Sequence, residues 1–412
     1  MSITRREFVR HGAAAGLALS LPDLARDADS DRGRRAPQGY EPWLELDAGT
    51  LLSNVRVVSR LAGGRPLVAV VKNNAYGTSL TRTAPVLERA PEVTALAVVK
   101  VSEAETALAA GVRKPVLLMA VAENRDVAEL VRGGLQLGVY DDGAPDRLRE
   151  LSRQLGAPVP VHFYLDTGIN RVGMPYHRAL PWMERIASEG AASVQGTFMT
   201  FTESAEFDPE QLRRFQDLTV RARERGVPLG RLHACSSQSM FERPEAHFDQ
   251  VRTGLVVYGA YPAAMRAVMK ETPRPEWEGL VPAFRLSARV VRVERLRPGD
   301  SVSYGRNYVA ERPTWVASLP VGHADGYPRT AVRGCEVLIG GRLYPVIGAV
   351  SASHTIVEVG EEPTVAMGDT AVLVGPDRPE VHPNTVAERA GVSVYDVLMH
   401  LSAQLPVEVV GG

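Results

Sequence analysis

Lys72 stands at the end of the β-branched run Leu67-Val68-Ala69-Val70-Val71, and the small polar turn Asn73-Asn74-Ala75-Tyr76-Gly77 follows it at once. Such a run has the composition of a strand buried on both faces of a parallel sheet, and barrels and open α/β sheets place their chemistry at the C-terminal ends of such strands. A lysine that loses part of its hydration there favours the neutral amine, whose nitrogen can attack a carbonyl. Lys72 is therefore a candidate Schiff-base residue. On position alone the commoner reading is a strand-end lysine whose ammonium snorkels to water.

A second constellation lies far along the chain. His233-Ala-Cys-Ser-Ser237 follows one late apolar run, and Arg252-Thr-Gly-Leu-Val-Val-Tyr-Gly259 follows the next. In a barrel the loops after the last two strands commonly form a phosphate site from backbone N–H groups, a hydroxyl and glycines that allow close approach. Ser237, Gly254 and Tyr258 are candidate phosphate-shell residues, and Tyr76 is within reach from the first loop. Each signal alone is common turn material. Combined with a lysine after the first strand, they place an aldehyde-bearing phosphate cofactor between that lysine and the phosphate pocket.

The elements that would position these groups alternate from Trp43 onward. Strand candidates are Leu67 to Val71, Ala95 to Val99, Pro115 to Ala120, Gln136 to Tyr140, Val159 to Leu165, Val194 to Phe201, Arg231 to Cys235 and Gln250 to Tyr258. Eight such runs suggest a (β/α)8 barrel over 43–281, with an open doubly wound sheet as the alternative. Between them, Val127, Leu130 and Val131 share a helical face, and Leu212, Phe215 and Leu218 recur at i+3 spacing before Gly226. After Pro282 the texture changes to short apolar runs punctuated by Gly-Gly, Pro-Gly and Met-Gly-Asp. Residues 282–412 therefore read as a separate, mostly β domain that ends in two helical stretches between Asn384 and Gln404.

With 412 residues, 45% hydrophobic and 23% charged, the chain is an ordinary globular protein long enough for two domains. A formal net charge of -1 argues against nucleic acid as a partner. Residues 1–25 differ: Arg5-Arg6-Glu7-Phe8 precede an apolar stretch from Gly12 to Leu21 that is too short to span a bilayer. That layout resembles a twin-arginine export signal, with 26–42 as linker, and predicts a periplasmic or otherwise exported enzyme that acquires its cofactor before crossing the membrane. A plain amphipathic leader helix is the alternative. Cys235 and Cys335 leave one disulfide open without implying it.

Taken together, Val70–Gly77, Leu165–Met174, His233–Ser237, Arg252–Gly259, Val302–Tyr308, Val321–Arg329 and Val394–Asp396 form seven blocks in one order. In these blocks the chain resembles the alanine racemase family of fold-type III pyridoxal-phosphate enzymes, from Trp43 to about Pro406. The resemblance implies that Lys72 holds the cofactor and acts as base on one face of an amino-acid substrate. Tyr304, supplied by the partner subunit of a homodimer, would act on the other face, as inversion at Cα by two bases requires. It also implies that Arg252 faces the cofactor's pyridine nitrogen and keeps it unprotonated, with His233 orienting that arginine. Arg171 would meet the cofactor's phenolic oxygen and the substrate carboxylate. Tyr76, Ser237, Gly254, Leu255 and Tyr395 would bind phosphate. No metal is implied.

Departures from the family pattern are equally specific. Tyr164 stands where the family usually has a lysine, often carbamylated, two positions before the Asp of Asp-Thr-Gly. Thr200 replaces a histidine that helps connect the catalytic tyrosine to the pyridine-facing arginine. His323 replaces a tyrosine, and Ser351-Ala352-Ser353 replaces Cys-Met-Asp. Ala352 in place of methionine widens the substrate pocket and predicts turnover of side chains larger than methyl alongside alanine. Two competing readings are a catalytically degenerate exported cofactor-binding protein and a fold-type III decarboxylase. The latter should carry a catalytic cysteine in a Cys-Asp-Ser-like loop, whereas Cys335 lies in Arg-Gly-Cys-Glu-Val.

Overall fold

The computed structural model describes residues 39–272 and 274–411; the expected leader segment and most of the linker lie outside the described residues. Eight parallel strands pair in chain order: Leu67–Val70, Val93–Val98, Val116–Leu118, Leu135–Val139, Val159–Asp166, Ala192–Phe198, Arg231–His233 and Val251–Thr253. The last returns to the first, with Val251 beside Leu67 and Thr253 beside Ala69. Backbone hydrogen bonds from Asp249 to Leu232 O (3.1 Å) and from Arg252 to Cys235 O (2.9 Å) bridge the seam between the seventh and eighth, so the barrel is nearly closed. Every residue of Leu67–Val70 and Val116–Leu118 is buried, as strands covered by side chains inside and helices outside must be. Among those helices, Asn124–Arg132 buries Val127, and Asp208–Glu224 buries Leu212, Phe215 and Leu218.

The expected final strand, Gln250 to Tyr258, is shorter than the apolar run suggests. Pairing stops at Thr253, and Leu255–Tyr258 winds into a 3-10 turn whose residues are all buried. An unbroken apolar run looks the same whether it is buried as strand or as turn, so periodicity alone cannot separate them. The expected strand Val194 to Phe201 likewise ends at Phe198, leaving Met199, Thr200 and Phe201 as loop.

A second, nine-stranded sheet runs in the order Arg292–Leu296, Thr314–Leu319, Thr355–Gly360, Arg342–Ile347, Glu336–Ile339, Thr370–Val374, Phe284–Arg289, Trp43–Asp47 and Val407–Val410. Trp43–Asp47 precedes the barrel in sequence, and the sequence reading gave it to the barrel. It pairs instead with Phe284–Arg289 and Val407–Val410 of the β domain. An ion pair locks that placement: Glu45 lies directly across from Arg285, with a 2.6 Å contact, and Asp377 holds the same guanidinium at 2.7 Å. Asp47 then caps the helix Ala48–Leu61 by accepting from Thr50 N–H (2.8 Å), and so turns the chain into the barrel. Among the described residues no helix is long and apolar enough to cross a membrane, and no group of His, Cys, Asp and Glu is placed to hold a metal ion.

Candidate active site

The turn after the first barrel strand is left-handed. Asn73, Asn74, Ala75 and Tyr76 have φ of 53°, 56°, 54° and 55°, a run that costs roughly 1–2 kcal/mol per residue away from Gly and is eased somewhat at Asn. The surroundings hold it. The Glu103 carboxylate, itself buried, accepts from the backbone N–H of Asn73 (2.6 Å), Val99 (3.1 Å) and Lys100 (3.2 Å), and Asn74 Oδ1 accepts from Leu80 N–H (2.9 Å). At the far end Gly77 lies against the helix Val394–Met399, where a β-carbon would come within 2.1 Å of Leu398 O.

This turn presents Lys72 at the rim and brings Tyr76 over the eighth strand. Burial, followed by the nearby Arg171 and Arg252 guanidiniums, holds the Lys72 amine below its ordinary range, while Glu103 opposes the shift. Tyr76 stacks on Tyr258 with ring centroids 4.9 Å apart and lies 6.4 Å from the ring of Tyr395. A β-carbon on Gly254 would fall 2.1 Å from the Tyr76 hydroxyl. Beside it Ser237 Oγ accepts from the N–H groups of Gly254 (3.2 Å) and Val256 (3.5 Å), and Leu255 between them is fully buried. Tyr76, Ser237, Gly254, Leu255 and Tyr395 thus form one cradle. Burial and the nearby Glu203 push the Tyr395 phenol up to about 12, and burial raises that of Tyr76 further. Tyr258, expected in the phosphate shell, is not available to it: the side chain is wholly buried and its hydroxyl donates to Val70 O (3.2 Å).

Arg252 forms the floor. Its guanidinium lies over the Phe198 ring (4.7 Å), and its Nη1 donates to His233 Nδ1 (2.9 Å) and its Nη2 to Met199 O (2.9 Å). Because arginine only donates, His233 must carry its proton on Nε2, which meets His162 Nδ1 at 3.1 Å. His162 in turn donates from Nε2 to Gln136 Oε1 (2.8 Å). Both imidazoles are neutral: burial and then the Arg252 charge push His162 down to about 3 and hold His233 well below its ordinary value. On the other side Arg252 Nη2 lies 3.4 Å from Thr200 Oγ1, which meets the Tyr164 hydroxyl at 3.0 Å.

Arg171 projects from the loop after the fifth strand. Asp166 shapes that loop by accepting from the N–H groups of Gly168 (2.8 Å) and Asn170 (3.2 Å). The Arg171 guanidinium is exposed and has no ion pair or hydrogen bond among the described residues.

Tyr304, His323 and Ala352 lie on neighbouring loops of the β domain. Ser303 Oγ donates to Ala349 O (3.1 Å), His323 N–H to Ser351 O (3.0 Å) and Ala324 N–H to Ala352 O (3.0 Å). Within one chain no hydrogen bond or ring contact among the described residues joins them to Lys72. Tyr304 is 81% exposed.

Sequence reasoning passed over Glu103, Gln136, His162 and Glu203. His162 lies two residues from Tyr164 on one strand and so shares its face, which is a usable signal. Glu103 sits in the first turn of the helix after the second strand, next to the Lys72 loop only because the first two strands pair. Glu203, at φ 63°, accepts from Ser236 Oγ (3.1 Å) beside the cradle, and burial raises its carboxyl. Cys235 and Cys335 are both free and buried, so the open disulfide is not formed.

Residues 46–262 match the family model of the alanine racemase N-terminal domain, and 283–409 that of the C-terminal domain. Over 370 residues the chain is 29% identical to alanine racemase 1 of Clostridium acetobutylicum, spanning 88% of this chain and 94% of that protein. It is 32% identical over 379 residues to the alanine racemase of Symbiobacterium thermophilum, with 89% and 97% covered. The crystal structure of alanine racemase from the D-cycloserine producer Streptomyces lavendulae aligns with a TM-score of 0.80 and 28% identity, over 91% of this chain and 98% of that one. Both family models match in order along the chain, and the chain belongs to the alanine racemase family.

Proposed function

We propose that this protein is a pyridoxal-phosphate-dependent racemase that interconverts the L and D forms of alanine and of amino acids with larger side chains. One observation carries the reading: a lysine amine held below its ordinary range lies near a buried guanidinium at the same barrel end as a cradle of hydroxyls and backbone N–H groups. The residues fit the cofactor. Arg252 is 7% exposed and has no carboxylate partner among the described residues, which suits a neutral nitrogen acceptor. Gly254 lets the Tyr76 hydroxyl close over the eighth strand's end, and Ser237 gathers two N–H groups that a phosphate oxygen can share.

Lys72 would attach the cofactor, with Tyr76, Ser237, Gly254, Leu255 and Tyr395 holding its phosphate. When bound, pyridoxal phosphate supplies an electron sink conjugated to the substrate's Cα, which acidifies the proton there. Arg252 would face the pyridine nitrogen and keep it unprotonated, weakening that sink; His233 and His162 fix the arginine, and Arg171 would hold the substrate carboxylate. Lys72 moves the Cα proton on one face. Tyr304 of the partner subunit moves it on the other. The exposure of Tyr304 in a single chain supports a homodimer with shared active sites. His323 and Ala352, on adjoining loops, would line the side-chain end of the pocket, where Ala352 leaves room beyond a methyl group.

A decarboxylase is disfavoured because it should present a catalytic cysteine, whereas Cys335 and Cys235 are buried with their thiols directed to the Val386 and Arg243 carbonyls. The test is a chiral product survey in deuterated water with alanine, serine, methionine, lysine and arginine. Deuterium at Cα with inverted product supports racemisation. Turnover of alanine alone removes the broad-substrate reading, and the absence of any exchange by cofactor-loaded protein leaves the degenerate binder. The Arg5-Arg6-Glu7-Phe8 sequence supports export to the periplasm by the twin-arginine route. Fractionating cells that express the chain and its Arg5→Lys, Arg6→Lys form tests this, since equal periplasmic yield of both would refute the route.

A further inference from the structure

Two departures from the family pattern, Tyr164 and Thr200, touch each other and converge on Arg252. Tyr164 is 3% exposed, and its ring is fixed by a stack on Phe198 (4.2 Å) and an edge contact with Tyr140 (5.7 Å). Phe198 also lies under the Arg252 guanidinium and stacks on His233 at 4.9 Å, so one ring sets the relative positions of all three groups. The Tyr164 hydroxyl is therefore a fixed point 3.0 Å from Thr200 Oγ1. Thr200 is β-branched and stiff at χ1, and its oxygen can accept from Arg252 Nη2 while sharing a hydrogen with Tyr164. The other arm of the guanidinium is held by His233, His162 and Gln136.

We propose that Tyr164, acting through Thr200, is a positioning residue for Arg252, and that the Tyr164–Thr200 pair sets the arginine against the cofactor's pyridine nitrogen. The inference rests on the functional reading above. The pair forms a neutral clamp. Without the Tyr164 hydroxyl, the Thr200 hydroxyl loses the partner that orients its hydrogen and lone pairs, and its hold on Nη2 weakens beside the Met199 carbonyl. The guanidinium, still held by His233, Met199 O and the Phe198 ring, then loses one of its restraints and would meet the pyridine nitrogen less firmly.

The experiment compares Tyr164→Phe, Thr200→Val, the double variant and Thr200→Ser. Each is read by equilibrium titration with pyridoxal phosphate, by the pH dependence of the bound cofactor's visible absorbance, and by kcat and KM for alanine. Tyr164→Phe keeps the ring contacts, and Thr200→Val keeps the shape. Each single variant should weaken cofactor binding about tenfold, the scale of a lost hydrogen bond in a charged network, and the double variant no further. The absorbance titration should shift in the same three proteins, and kcat should fall while KM holds. Thr200→Ser, which retains the oxygen, should restore the wild-type affinity and spectrum. Singles that match the wild type in affinity and spectrum overturn the proposal, as does a double variant whose loss is the product of the singles. A wild-type chain that takes up no pyridoxal phosphate overturns the functional reading and this pairing with it. One that binds and racemises while the variants match it overturns the pairing alone.

Discussion

The Tyr76 hydroxyl lies so close over Gly254 that a β-carbon there would sit 2.1 Å away, so the first and eighth barrel strands meet at the cradle through a contact only glycine permits. Gly254 has φ of -120° and ψ of -82°, outside the main regions open to residues with a β-carbon, so the position favours glycine for its backbone as well as for space. Gly254→Ala should fold but displace Tyr76. We expect pyridoxal phosphate to bind about 10- to 100-fold more weakly, the cost of losing one or two hydrogen bonds to a charged group. Titration of the apoprotein measures this, and wild-type affinity in the variant would show that the cradle lies elsewhere.

Lys72 should react with an aldehyde at lower pH than an ordinary lysine. Its amine is held down first by burial and then by Arg171 and Arg252, so the neutral form appears below pH 10.5. The rate of cofactor attachment to apoprotein should therefore rise with pH and level off below that value. Removing the Arg171 charge relieves the penalty on the ammonium, so Arg171→Ala should move the midpoint upward. A midpoint at 10.5 in the wild type, or a downward move in the variant, would contradict the assigned electrostatics.

The sequence reveals the barrel because strands buried on both faces must be nearly continuous apolar runs, and Leu67 to Val71 or Val159 to Leu165 cannot be much else. Lys72 was visible for the same reason, as the first polar residue after such a run. What the pattern hides is adjacency. Trp43–Asp47 reads as the first element of the barrel, yet Glu45 finds Arg285 across 240 residues of sequence. Glu103 reaches the Lys72 turn from the first turn of the helix after the neighbouring strand, and His162 meets His233 from a different strand. Tyr258 looked like a phosphate ligand because its run resembled a strand end; winding into a turn sends its hydroxyl to Val70 instead. That Tyr164 and Thr200 touch was likewise invisible, since they stand 36 positions apart.

The Glu45–Arg285 pair should matter for stability more than any surface ion pair of the chain. Both side chains are under 10% exposed, and Asp377 alone would be left to neutralise the guanidinium. Breaking one side of a buried pair typically costs about 3–5 kcal/mol, while exposed pairs contribute about 0–1 kcal/mol. Glu45→Gln should lower unfolding stability toward the lower end of the buried range, because Asp377 persists. An exposed control, Arg213→Ala, should change it little, since that side chain is 61% exposed beside Glu210. Urea denaturation of both variants decides the comparison, and equal midpoints would mean the N-terminal strand is held by packing alone.

Mild acid should weaken the fold through its buried imidazoles. His162 is pushed down to about 3 and His382 to about 4 by burial, and His233 lies well below 6.5. Above pH 6.5 these groups are neutral in both folded and unfolded chains and contribute no pH dependence. Below it the unfolded chain takes up protons that the native state refuses, so stability falls by about 1.4 kcal/mol per pH unit for each histidine so held. Asp141, held below its ordinary range by Arg147, adds its own loss only near pH 4 and below. Urea midpoints measured from pH 7.5 to 5 should decline, and His162→Gln should remove one imidazole's share of that slope whatever it does to the stability at pH 7.5. A slope unchanged in the variant would mean that His162 is charged in the native state, which the direction of the Arg252–His233–His162 hydrogen bonds forbids.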